Sequence, residues 1–253
     1  MIKEIIESVK EAGEIFKRGF GNTAYNKKGV VDLVTKYDIE IENFLKDRLG
    51  KLEIPILGEE GRETLNLKEA IVIDPIDGTT NYIHNIPFCS ISVGVIKNRE
   101  FFGGVVYNPL LNELFFAQKG QGAYLNREKI RVSSKDNLID SLIATGFPYA
   151  KYKEGKEYFW SVDTFRKILP KTRDIRRLGS ASLDICYCAT GRFDGFYELG
   201  LEIWDVAAAI AILKESGGIA LNEIGEKYYI GDRVIVCGNS IITKELIKYM
   251  ERL

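Results

Sequence analysis

At 253 residues, with 45% hydrophobic and 28% charged side chains and a formal net charge of -1, the chain has the composition of a globular protein able to bury a large core. Its charges are scattered, so the extended basic run of a dedicated nucleic-acid binder is missing, although a local basic patch stays open. There is no uncharged apolar stretch of membrane-spanning length and no secretory signal, and Cys89, Cys186, Cys188 and Cys237 match no zinc or disulfide spacing; the expectation is a cytoplasmic protein with reduced thiols.

In chain order, Ile2, Ile5, Ile6, Val9, Ala12, Phe16 and Phe20 recur at three- and four-residue steps and mark one apolar helix face. A second helix is predicted over 35–49, burying Ile39, Ile41, Phe44, Leu45 and Leu49. The runs 54–57 and 71–73 read as buried strands, each leading straight into carboxylates. Strands follow over 90–96, 101–107 and 113–117, separated by turn residues at 98–100 and 108–109, then a hairpin punctuated by Gly120, Gly122 and Asn126. Beyond Ser133 strands and helices alternate: strand 142–144, helices 154–168 and 181–190, strand 193–198, helix 206–216 ended by Gly217-Gly218, strand 234–237 and a last helix from Ser240. A composition shift near 137–140 divides the chain into an α+β half, 1–138, and an α/β half, 139–253.

The strongest chemical signal is Asp74-Pro75-Ile76-Asp77-Gly78-Thr79-Thr80. A buried strand is expected to end at Asp74, Pro75 interrupts pairing, and Asp77-Gly78 makes a sharp turn. Two carboxylates three residues apart on such a turn reach one point, which suits a hard cation such as Mg²⁺. Gly78 and Thr79 offer an amide and a hydroxyl to phosphate oxygens. Glu59-Glu60 and Trp204-Asp205 also stand at the ends of apolar runs, although Asp205 alone reads equally well as a helix N-cap. Gathered in one crevice, these acids would repel one another unless a cation neutralised them. His84 is the only histidine and none of the four cysteines lies in an anion-cradling loop, so histidine and cysteine phosphatase mechanisms are disfavoured. Lys27 or Lys28, and Arg176 or Arg177, are basic residues that either face the site or belong to solvated loops.

Gly58-Glu59-Glu60, Asp74 to Asn81 and Trp204-Asp205-Val206-Ala207-Ala208 resemble the inositol monophosphatase family, of the lithium-sensitive, Mg²⁺-dependent phosphatase superfamily that includes fructose-1,6-bisphosphatases. Asp32 to Asp38, Arg176 to Ala181 and Gly217-Gly218 extend the likeness over nearly the whole chain. The resemblance implies a layered αβαβα sandwich, α+β then α/β, with the site in a cleft between the halves. It implies two to three Mg²⁺, with Mn²⁺ as the alternative: Glu59, Asp74 and the carbonyl of Ile76 on the first, Asp74, Asp77 and Asp205 on the second, and a weaker third on Glu59. Asp38 and Thr79 would help deprotonate a water, with Glu59 in the catalytic set. Asp77, Gly78, Thr79, Arg176, Gly179, Ser180, Ala181, Glu198 and Asp205 would contact substrate. The expected partners are a small phosphorylated polyol or sugar and a second copy of the chain, with no membrane or nucleic acid; relatives also suggest a transcription-machinery role. Inositol-1-phosphate is the first substrate, fructose-1,6-bisphosphate the runner-up, and histidinol phosphate or 3′-phosphoadenosine nucleotides further alternatives.

Overall fold

The computed structural model describes every residue except 22, 31–32 and 62–67, so Asp32 lies outside the described residues. Two sheets organise the chain. Strands β3 (Ile56–Gly58), β4 (Glu69–Asp77), β5 (Ser90–Lys97), β6 (Glu100–Asn108), β7 (Glu113–Gln118), β8 (Ala123–Leu125) and β9 (Glu128–Lys129) pair in sequence order, after a small hairpin of β1 (Tyr25–Lys27) and β2 (Leu33–Thr35). Only the β3–β4 pair in this larger sheet is parallel; its hairpin-linked strands need nothing beyond short turns. The second sheet holds β10 (Leu142–Thr145), β11 (Asp174–Arg176), β12 (Gly195–Leu199), β13 (Ile219–Leu221) and β14 (Val234–Gly238), in the order β11-β10-β12-β14-β13.

Helices fill the layers. Helices α1 (Ile2–Gly19) and α2 (Lys36–Leu49) cover the outer face of the larger sheet. The apolar stripe of α1 buries Ile5, Val9, Ala12 and Phe16 there, and the Ile, Val and Phe side chains each contribute about 1.5–3 kcal/mol if fully removed from water. Helices α5 (Ala181–Ala189) and α6 (Ile203–Glu215) lie between the sheets, while α4 (Lys156–Ile168) and α7 (Ser240–Ile247) cover the far side of the second; α3 (Thr79–Ile83) is a single turn beside the cleft. The result is an αβαβα sandwich. Among the described residues, no helix is long and apolar enough to cross a membrane.

The middle helix α6 explains the layering. Residues 205–213 are all buried, so this helix has no solvent face and must be interior. Its alanines let it approach β5 and β6 closely: a Cβ at Gly94 would lie 2.6 Å from Ala207 Cβ, and one at Gly104 would lie 2.4 Å from Ala208 Cα.

Three expectations are corrected. Strand β4 does not end at Asp74; pairing lapses over Pro75 and Ile76, then resumes with Asp77 opposite Ser90. Helix α6 begins at Ile203 with Glu202 as N-cap, so Asp205 lies in its first turn rather than at its entry. Ile39 is exposed, because α2 turns Ile41, Leu45 and Leu49 toward the core.

Candidate active site

The bulge in β4 positions the first acids. Asp74 accepts from its own turn, with Ile76 N–H donating to Oδ1 at 3.0 Å. Asp77 then points across the gap between the sheets. One of its oxygens, Oδ2, accepts from Ser180 Oγ (2.5 Å), Ser182 Oγ (2.5 Å) and Ser182 N–H (2.8 Å) at the start of α5. That helix end is the electropositive one, so the carboxylate is favoured twice. Asp205 enters from α6, its Oδ2 accepting from the N–H of Glu202 at 2.7 Å. Asp74, Asp77 and Asp205 each offer a carboxylate oxygen, all within 4.8 Å of one another and all buried.

Three carboxylates so close strain each other's ionisation. Burial raises Asp74, Asp77 and Asp205, and for Asp74 and Asp205 the neighbouring acids push further upward; the serine donors hold Asp77 back. An all-oxygen donor set with unspent negative charge fits a hard divalent cation. Glu59 lines the same cleft but is not brought into this cluster; its Oε1 is held by Lys28 Nζ at 3.0 Å, and Lys28 also grips Glu60. Burial lifts Glu59 to about 7. Of the two adjacent lysines, Lys28 is therefore the one that turns inward. Gly58 leaves room here for the Glu42 carboxylate, which a Cβ would meet at 2.3 Å and push away from the Glu60 N–H it accepts from.

Thr79 stands beside the cluster. Its hydroxyl donates to the carbonyl of Ile76 at 3.0 Å and reaches Asp38 Oδ1 at 3.4 Å. Asp38 is the third residue of α2, and its other oxygen caps that helix by accepting from Thr35 N–H (2.7 Å) and Thr35 Oγ1 (2.6 Å). Burial raises Asp38 to about 6. Gly78, with φ of 87°, packs so tightly that a Cβ would meet the Gly179 carbonyl at 3.0 Å.

The facing wall comes from the second half. Gly146, Lys151, Arg177, Gly179, Ser180, Ala181, Asp184 and Glu198 line a cleft of about 450 Å³ together with the first-half acids. Arg176 is corrected: it is exposed, paired with Asp174 at 2.5 Å, and does not line the cleft, whereas Arg177 does. A strand's alternation turns adjacent residues to opposite sides, and β11 ends between the two. Glu198, lifted to about 8 by burial, packs its carboxylate against Gly146, where a Cβ would lie 2.1 Å from it and displace it. His84 is exposed and outside the cleft, and all four cysteines are buried.

Sequence reasoning missed three residues. Ser182 anchors Asp77. Asn81 ties the halves together, its amide donating to the carbonyls of Phe88 and Leu178 at 2.7 Å each. Asp184 is buried with Oδ1 unpartnered, and a lone charge inside the otherwise uncharged α5 was the available signal.

The three carboxylates at the junction of the two sheets could hold a metal ion. The chain matches the inositol monophosphatase family over residues 1–253. It is 37% identical to an inositol-1-monophosphatase of Rhizobium meliloti over 259 residues, covering 100% of this chain and 96% of the relative. It is 35% identical to the Nus factor SuhB of Salmonella typhimurium over 258 residues, covering 99% and 95%. Among solved structures, the extragenic suppressor protein suhB from Bartonella henselae aligns with a TM-score of 0.92 at 33% identity, covering 99% of this chain and 98% of that one. A Thermotoga maritima IMPase aligns with a TM-score of 0.88 at 32% identity, covering 97% and 94%. The chain belongs to the inositol monophosphatase family, a family of metal-dependent phosphoric monoester hydrolases.

Proposed function

We propose that this protein hydrolyses the phosphate monoester of a small polyol, with inositol-1-phosphate as first substrate. The observation that carries the reading is the convergence of Asp74, Asp77 and Asp205 within 4.8 Å in a cleft that Glu198 also lines. Asp74, Asp77 and Asp205, with Glu59 and the carbonyl of Ile76, would hold two to three Mg²⁺, with Mn²⁺ as the alternative. When bound, such ions supply Lewis acidity toward the phosphoryl oxygens and a water of lowered pKa.

The chain's own groups do the rest. Thr79 takes a proton from the attacking water as its hydroxyl proton passes to Asp38, which lies within 3.4 Å. Gly78 and Thr79 orient the phosphate. Glu198, Ser180, Ala181 and Gly179 face the alcohol, where Glu198 accepts from its hydroxyls. Asn81 and the Asp77–serine contacts hold the two walls at fixed separation, which is what positioning demands. We retain the division into 1–138 and 139–253, a cytoplasmic location, a homodimer and lithium inhibition as parts of this proposal.

A second reading has its own observation. Lys151 and Arg177 line the alcohol end and would suit a second phosphate, which favours fructose-1,6-bisphosphate. Phosphate release from inositol-1-phosphate, fructose-1,6-bisphosphate, histidinol phosphate and 3′-phosphoadenosine-5′-phosphate, with and without Mg²⁺, tests both. Inositol-1-phosphate should show the highest kcat/KM, only with metal; absence of all turnover by folded, metal-loaded protein would overturn the reading. The likeness to a Nus factor motivates one further assay, capture of RNA polymerase and its elongation factors, and no capture would remove a transcription role.

A further inference from the structure

The opposite end of α6 carries a feature of reversed charge. Asp205 lies in the first turn of this helix and Lys214 in the last, nine residues on, or about 14 Å along the axis. Around Lys214 opens a groove of about 570 Å³, within the range of small-ligand sites. Four cations, Arg99, Lys119, Lys214 and Lys227, face two carboxylates, Glu100 and Glu215, a surplus of two positive charges.

The carboxylates are already engaged. Glu100 takes Lys119 at 2.5 Å. Glu215 accepts from the N–H groups of Gly120 and Gly122 at 2.9 and 2.8 Å, holding the turn after β7. Arg99, Lys214 and Lys227 have no ion-pair partner among the described residues. Lys214 is the telling member. It is partly buried, its ammonium lies 4.8 Å from the centre of the Phe101 ring, and burial with the nearby Lys227 pulls it down to about 8. Glu100, already paired with Lys119, pulls the other way but does not offset the burial, so an arriving anion would meet a cation that is only partly compensated. Arg99 is presented by a two-residue turn in which both Asn98 and Arg99 have positive φ, where glycine is the ordinary occupant of the second place. Tyr229, exposed and lying 5.4 Å below the Lys227 ammonium, adds an aromatic face to the rim.

We propose that the groove formed by Arg99, Lys214 and Lys227 at the C-terminal end of α6 is a second ligand site, separate from the catalytic cleft, that binds a small anion carrying two or more phosphate groups. The three cations without an ion-pair partner suit the adjacent anionic groups of a diphosphate. Such a group arrives either as inorganic pyrophosphate or as the tail of a nucleoside phosphate, and Tyr229 would add affinity only for the second.

The test is isothermal titration of EDTA-treated protein with pyrophosphate and, separately, with ATP. Lys151 and Arg177 still line the metal-free cleft, so binding is assigned to the groove where Lys214→Met weakens it and Arg177→Ala does not, a comparison that does not depend on the hydrolase reading. One site per chain is expected, with Lys214→Met weakening it about tenfold, the scale of a lost charge-assisted hydrogen bond. In protein with ¹³C-labelled lysine, the Lys214 titration midpoint should move up when pyrophosphate is present. Tighter ATP than pyrophosphate binding assigns a nucleotide; equal binding assigns the phosphates alone. Exposed Lys227→Ala provides a second variant if Lys214→Met does not fold. No saturable binding at millimolar ligand, affinity unchanged in the variants, or binding only of single-stranded oligonucleotide would overturn the proposal.

Discussion

The two walls of the cleft are built on different principles. The first is local: Asp74, Asp77, Gly78 and Thr79 come from one strand end and the turn that follows, so six residues of chain deliver two of the three clustered carboxylates. The second is assembled from β10, α5, β12 and the loops between them, and its members Gly146, Lys151, Arg177, Asp184 and Glu198 span more than fifty positions. A short rigid turn suits groups that must converge on one point. Dispersed residues suit recognition of the varied surface of a ligand's alcohol part. The first wall should therefore govern turnover and the second discrimination.

The largest effect expected is on the first wall. Asp74→Asn should lower kcat by about 10³-fold, the scale of losing one preorganised electrostatic group, with metal affinity falling in parallel by calorimetry. A metal-replete Asp74→Asn enzyme with normal kcat would erase the distinction between the walls. On the second wall, Glu198→Gln should raise KM for inositol-1-phosphate about tenfold while leaving kcat within a few-fold, since it replaces a carboxyl oxygen facing a substrate hydroxyl with an amide nitrogen. p-Nitrophenyl phosphate, which lacks those hydroxyls, should be turned over as before. Gly146→Ala should imitate this change more weakly by displacing the Glu198 carboxylate, which its Cβ would meet at 2.1 Å. Arg177→Ala should reduce fructose-1,6-bisphosphate turnover selectively, whereas Arg176→Ala should change nothing measurable.

The walls also share a dependence on pH. Asp38 is raised to about 6, Glu59 to about 7 and Glu198 to about 8, in each case chiefly by burial. Between the ordinary carboxylate range and these values the folded chain binds more protons than the unfolded chain. Stability must then fall as pH rises through that window. The melting temperature in EDTA should drop by several degrees between pH 5 and pH 8, and divalent metal should remove most of the slope. A Glu198→Gln variant should flatten the upper part of the metal-free curve, and an unchanged slope would show that Glu198 ionises normally.

Much of this was legible in the sequence because its signals are local. The apolar periodicity of α1, the turn residues between β5, β6 and β7, and the Asp-Pro-Ile-Asp-Gly-Thr turn are each decided within one or two turns of chain, where sterics and hydrophobic alternation act. Boundaries suffered where tertiary contacts extend or shorten an element. β4 resumes pairing at Asp77 because Ser90 stands opposite, and α6 starts early because Glu202 and Asp205 close its first turn. The sequence by itself thus determined the types of the longer elements, the acids of the first wall and the family, while the three-residue strands β1, β2, β11 and β13 were too short to show a period. Only the tertiary structure decided which arginine faces the cleft, that Ser182 and Asn81 bind the halves together, and that Lys28 rather than Lys27 reaches Glu59. It also brought Lys214 beside Arg99, more than a hundred positions away, at the mouth of one groove. The physical reason is the same throughout: such pairings depend on how sheets and helices stack, and stacking sums many weak contacts between residues far apart in the chain.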